Sequence, residues 1–138
     1  MNCNSWNIRG LNGPGKRIIL KHKLITNKSD IFLIQETKIS MENLNTLQKN
    51  CFKNYSYIAN STFDTTRGQL ILWKISLYEL TSSVATRSSI NIVLNIIGSN
   101  DNICVNNIYA PHEATERIHM LQMILRPYLY PKNHFRGF

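Results

Sequence analysis

Two stretches of the chain place a polar side chain where a strand should end. Asn7 closes the segment Ser5-Trp6-Asn7, and Glu36 closes the apolar run Ile31-Phe32-Leu33-Ile34-Gln35-Glu36. A carboxylate at a strand end can hold a hard divalent cation such as Mg²⁺, and an amide beside it can orient a phosphate or a water. That chemistry needs the two strands to lie side by side. If the segment between them is a helical crossover, the strands are parallel neighbours and both groups project from one rim of the sheet. On residue types alone, a solvated Glu capping a strand and an Asn in a turn satisfy the same pattern.

The surrounding elements are those such a rim requires. Residues 3–8 read as a short strand, closed by a loop at residues 9–15 whose three glycines and one proline break regular structure. A helix is expected over residues 16–27, with Leu20 and Leu24 on its apolar side, and Asp30 leads into a strand at residues 31–35. A second helix at residues 41–49 carries Leu44 and Leu47, with Ser40 placed as its N-cap. Residues 55–59, 69–74, 90–97 and 103–109 are rich in β-branched and aromatic side chains and read as strands, with a hairpin turn at residues 98–102. A last helix spans residues 112–125, where Ala114, Ile118, Leu121 and Leu125 share a face, and Pro127 and Pro131 stop regular structure. The alternation of strands and helices defines an α/β (α+β) domain rather than a bundle or an all-β sandwich.

Composition narrows the function classes. The 138 residues suffice for one domain, and 43% are hydrophobic, enough to build a core. No apolar run approaches the length of a membrane span, so no membrane role is expected. The N-terminal residues lack a basic start and an apolar stretch, so the expected compartment is intracellular. The formal net charge of +8 is the footprint of a polyanionic partner, although basic surfaces also serve solubility. Lys16, Arg17, Lys21, Lys23 and Lys28 form either a phosphate-contacting face or a solvated helix face. Cys3, Cys51 and Cys104 fit neither a disulfide framework nor a zinc cluster and are expected to be buried, reduced thiols. His22, His112, His119 and His134 show no metal-binding spacing.

The motifs themselves sharpen this picture. W-N-I-R-G-L-N-G at residues 6–13 and D-I-F-L-I-Q-E-T-K at residues 30–38 resemble the opening motifs of the endonuclease/exonuclease/phosphatase superfamily, the fold of apurinic endonucleases and deoxyribonuclease I. Their form is most similar to the endonuclease domain of LINE-type (non-LTR) retrotransposons, plant ones in particular. R-G-Q-L-I-L-W at residues 67–73 resembles the family's R-G-G-V-x-x-x-W strand, and N-I-Y-A-P at residues 107–111 resembles its N-x-Y-x-P strand end.

The resemblance implies Mg²⁺-dependent hydrolysis of a DNA phosphodiester bond, with Mn²⁺ as an alternative ion, and a nuclear location. It implies that Glu36 binds the metal, that Asn7 helps orient metal and phosphate, and that Tyr109 hydrogen-bonds the scissile phosphate. Arg9, Lys38 and Arg67, which flank these motifs, are the expected nucleic-acid contacts. The implied fold is part of a four-layer α/β/β/α sandwich.

Several departures qualify the match. Arg9 stands where apurinic endonucleases have an Asp, a change shared with retrotransposon relatives that argues against abasic-site repair. Gln69 replaces the second glycine of R-G-G and is expected to crowd the strand. The family's G-D-x-N and S-D-H segments are absent, and residues 110–138 contain no Asp. The resemblance therefore covers residues 1–126, about the first half of a complete domain, followed by an irregular tail at residues 127–138. From this follow three expectations: an activity that is weak or absent in the isolated chain, an apolar sheet face left uncovered, and a partner chain that supplies the missing half. The alternative classes are a basic nucleic-acid-binding module without catalysis and, last, a phosphatase acting on a small phosphoester.

Overall fold

The crossover expected between the first two strands is present. In the computed structural model, which describes residues 1–60 and 68–109 together with Ala114, Thr115, Arg117, Ile118 and Gln122, β1 (Cys3–Asn7) is joined through α1 (Pro14–Thr26) to β2 (Ile31–Gln35). The two strands pair in parallel, with Cys3 opposite Ile31 and Asn7 opposite Gln35. After α2 (Met41–Cys51), β3 (Tyr55–Ala59) and β4 (Gln69–Lys74) complete a sheet in the order β1-β2-β4-β3, in which β4 runs antiparallel to both neighbours. A second sheet is an antiparallel meander of β5 (Tyr78–Ala85), β6 (Ser89–Ile96) and β7 (Asn102–Ile108).

Local sequence explains the boundaries. Pro14 takes the first turn of α1, where its missing N–H costs nothing, so the helix starts two residues before the expected position. Ser40 caps α2 as expected, its hydroxyl accepting from the Asn43 N–H at 3.2 Å. The central strands β2 and β4 are nearly continuous apolar runs because both of their faces are covered. Leu20 and Leu24 of α1 and Leu44 and Leu47 of α2 pack with Phe32, Ile34, Leu70 and Leu72 on one face. On the other face Ile31, Ile71 and Trp73 meet Ile90, Ile92, Leu94 and Val105 of the second sheet. The order of layers is therefore helices, sheet, sheet.

Three expectations change. Strand β5 is not foreseen because only Tyr78, Leu80 and Val84 are large apolar residues in a largely exposed edge strand; its pairing with β6, broken by a bulge between Leu80 and Ser82, holds it. The apolar face expected to lie open does not, because the two sheets already face each other. What the second sheet leaves uncovered is β1, whose residues on that side, Cys3, Ser5 and Asn7, are exposed and small or polar. The cysteines are free but not buried: Cys3 and Cys104 are exposed and Cys51 is half-buried, because Cys3 and Cys104 lie on strands with one uncovered side.

Residues 114, 115, 117, 118 and 122 are helical, as expected, but exposed, and Ile118 at 56% exposure does not face a core. The rest of that helix, the tail at residues 127–138 and Arg67 lie outside the described residues. No helix among the described residues is long and apolar enough to cross a membrane.

Candidate active site

The ends of β1 and β2 continue together past their last paired residues. Gly10 N–H donates to the Glu36 carbonyl at 2.7 Å and Leu11 N–H to the Thr37 carbonyl at 2.8 Å, so the segment after Asn7 lies along the segment after Gln35. Fully buried Ile8 and Leu11 anchor this loop from below. Two cations of α1 serve it as donors: Lys16 Nζ reaches the Ile8 carbonyl at 2.9 Å and Arg17 Nε the Leu11 carbonyl at 3.1 Å. Their head groups are thus tied to the loop rather than merely solvated. Asn7 Oδ1 accepts from the Arg9 N–H at 3.2 Å, a side-chain turn that fixes the amide at the rim.

Glu36 is half-buried at the end of β2, and the Tyr109 hydroxyl, arriving from the end of β7 in the other sheet, donates to its Oε1 at 3.2 Å. The two groups are 73 residues apart in the chain. Arg9, Glu36 and Lys38 all have left-handed backbones, at φ of 54°, 55° and 48°. Non-glycine residues in this region are uncommon, and their clustering at one rim marks stored strain of the kind found at functional sites. The structure therefore brings together Asn7, Arg9, Glu36, Lys38 and Tyr109.

Sequence reasoning missed a row of amides beneath this rim, buried at Asn60, Gln69 and Asn107 and half-buried at Gln35. Asn7, Gln35 and Gln69 are partners in register across β1, β2 and β4, and Asn60 follows β3 in the same row. Gln69 Nε2 donates to the Asn107 carbonyl at 3.0 Å, and Gln69 Oε1 accepts from Asn60 Nδ2 at 2.7 Å. Asn107 Nδ2 returns across the sandwich to the carbonyls of Ile34 and Leu70, at 3.0 and 3.1 Å. Gln35 Nε2 donates to the Ile108 carbonyl at 2.7 Å and to Asn107 Oδ1 at 3.2 Å. Gln69 does not crowd its strand as its sequence position suggests; it is 2% exposed, and its side-chain oxygen and nitrogen each have a partner. The available signal was an amide at or next to the site-side end of β1, β2, β3, β4 and β7, where an apolar residue would be the norm.

A cation at this rim would meet oxygen donors: the Glu36 carboxylate, with Asn7 on the neighbouring strand. Among the described residues no group of three or more His, Cys, Asp or Glu side chains converges. One carboxylate and one amide suit Mg²⁺, which keeps several waters and commonly takes only one or two protein carboxylates.

Two sheets packed face to face, with helices outside the first, form a DNase I-like α/β sandwich in part, and solved structures of that fold superpose on the chain. An endonuclease/exonuclease/phosphatase family protein from Bacteroides thetaiotaomicron matches with a TM-score of 0.73 at 14% identity, covering 96% of this chain and 60% of its own. A mannosyl-6-phosphatase from the same organism matches at 0.72 and 14% identity, covering 96% and 61%. The human Nocturnin catalytic domain matches at 0.63 and 14% identity, covering 88% and 57%. The chain thus spans under two thirds of the length of each of these structures. No family model and no curated protein matches the sequence.

Proposed function

We propose that this chain carries the metal- and phosphate-binding part of a hydrolytic phosphodiesterase site, and that its substrate is DNA, nicked as by a LINE-type retrotransposon endonuclease. The observation that carries the reading is the Tyr109 hydroxyl donating to Glu36 at the shared end of both sheets. The retrotransposon-like form of residues 6–13 supports DNA over a small phosphoester, and the superposing phosphatase and nuclease folds support hydrolysis as the general chemistry. Mg²⁺ bound at Glu36 would supply Lewis-acid stabilisation of charge developing on the phosphate. Asn7 orients the bound groups, and the Tyr109 phenol, turning its proton from Glu36 to a phosphate oxygen, donates where that charge grows. Arg9 and Lys38 contact the flanking phosphates, and Arg67 is assigned the same role by its place in the motif. The reading requires a water-activating Asp and a His from outside these residues, and work on DNA accords with a nuclear location.

Nicking of supercoiled plasmid tests the reading, using the protein with Mg²⁺, with EDTA and as the Glu36→Ala variant. The expected result is weak nicking that both controls abolish, or none, accompanied by Mn²⁺ binding that Glu36→Ala removes. Robust Mg²⁺-dependent nicking would show that these residues complete the site by themselves. Absence of any Mn²⁺ binding by folded protein would refute the metal site. It would favour the other reading, a basic binding module, which the net charge of +8 supports. Duplex binding should in either case weaken with salt, and replacing Arg9 or Lys38 with Ala should lower the log–log salt slope by roughly one each if both touch phosphates.

A further inference from the structure

The amide cluster under the rim does more than fill space between two sheets. Its members hold the backbone on both sides of the residues that form the site. Gln35 adjoins Glu36 in sequence and grips the Ile108 carbonyl at 2.7 Å, the peptide that leads into Tyr109. Gln69 grips the Asn107 carbonyl at 3.0 Å, one residue earlier. Asn60 Nδ2 reaches the Thr86 carbonyl at 3.1 Å, in the turn between β5 and β6, and in that turn the Ser88 carbonyl accepts the Tyr109 N–H at 2.7 Å. Beside the β6–β7 ladder, three backbone contacts that set the height of Tyr109 above β2 therefore lead back to Asn60, Gln69 and Gln35.

Apolar side chains could have packed these positions, as they do at Ile71 and Ile92 deeper in the same interface. Hydrophobic packing is non-directional and tolerates sliding of one sheet over the other, whereas amide-to-carbonyl bonds fix register in three dimensions. Gln69, Asn107 and Asn60 are 2%, 2% and 8% exposed, so their bonds lie in a low-dielectric setting where a lost partner is costly. No side-chain polar atom buried among the described residues lacks a partner.

Resting on the metal-site reading above, we propose that Gln69, with Asn60 and Asn107, is a positioning residue that holds the Tyr109 hydroxyl against the Glu36 carboxylate and so tunes the affinity of Glu36 for a divalent cation. Gln69 acts through the β7 backbone, by way of the Asn107 carbonyl.

The test uses protein labelled with ¹³C at the tyrosine ring carbon bearing the hydroxyl. Tyr109→Phe assigns the Tyr109 resonance, and Glu36→Ala gives its position when the bond to the carboxylate is lost. Gln69→Leu, which keeps bulk but removes both amide bonds, should move the Tyr109 resonance toward the Glu36→Ala position. It should also weaken Mn²⁺ binding by roughly tenfold, the scale on which groups supporting metal ligands act. Asn60→Ser, at the far end of the cluster, should shift both readouts the same way by less. Tyr109 keeping its wild-type resonance in either folded variant, or both variants failing to fold, would make the cluster structural only and overturn the proposal. Because the Tyr109 resonance is read without metal, absence of Mn²⁺ binding in the wild type would refute the metal-site reading while the positioning of Tyr109 was still decided.

Discussion

A single methyl group at position 68 is expected to destabilise the protein by about 2 kcal/mol and to weaken cation binding at Glu36 together with it. Gly68 precedes β4 and is buried, and its carbonyl accepts the Thr37 N–H at 3.1 Å. A Cβ there would lie 2.3 Å from Thr37 Oγ1 and 3.4 Å from the Lys38 nitrogen. Thr37 is 4% exposed and cannot swing into solvent, so the added carbon must push the segment of residues 36–38 outward. That segment holds Glu36 and Lys38 in left-handed conformations and has little freedom to yield. In Gly68→Ala, urea unfolding should give the loss in stability and Mn²⁺ titration the loss in affinity. Thr37→Ala removes the clashing oxygen, so Gly68→Ala should cost markedly less in its presence, and the double-mutant cycle should show a favourable coupling. Additive effects would mean that the glycine serves something other than this close approach.

The same glycine illustrates how far the sequence could be read. It stands inside a motif whose family resemblance was visible, and the strand after it was placed at Gln69–Lys74 with both boundaries right. The pairing partner that makes a glycine necessary there, Thr37, lies 31 positions away and leaves no local mark. Asn7 and Glu36 were legible because a helix between two strand-like runs favours a parallel crossover with both strand ends at one rim, and β1 and β2 do pair in parallel. Tyr109 could be joined to them only through the motif, since the meeting of β7 with β2 depends on how two separate sheets pack. Strand β5 was illegible for a different reason: its own residues carry little strand signal, and its stability comes from β6. The amide cluster was hidden because each member alone looks like an ordinary polar residue near a loop. Gln69 even read as a defect, and only the carbonyl of Asn107 opposite it shows what the amide is for.

Substitutions at Glu36 should separate what its carboxylate does from what its backbone endures. Gly and Ala at this position both remove the carboxylate and both lose the Tyr109 hydrogen bond, so they differ only in backbone freedom and one methyl group. At an ordinary strand or helix position Ala is the more stable of the two by about 0.5–1 kcal/mol, because Gly loses more conformational entropy on folding. At a φ of 55° that order should reverse. An L-residue in the left-handed region carries roughly 1–2 kcal/mol of steric cost that Gly escapes, enough to exceed the entropic penalty. Glu36→Gly is therefore expected to be more stable than Glu36→Ala by about 1 kcal/mol in urea unfolding, while Mn²⁺ affinity falls by roughly tenfold or more in both. If Glu36 were only a solvated strand cap, glycine would relieve its strain with no loss of binding to set against the gain. A carboxylate kept in a strained backbone is explained when its removal relieves the strain and empties the site together. Equal stabilities, or Ala above Gly, would mean that the rim relaxes to an unstrained path without Glu36, and the strain would then be a consequence of the Tyr109 bond rather than of the fold.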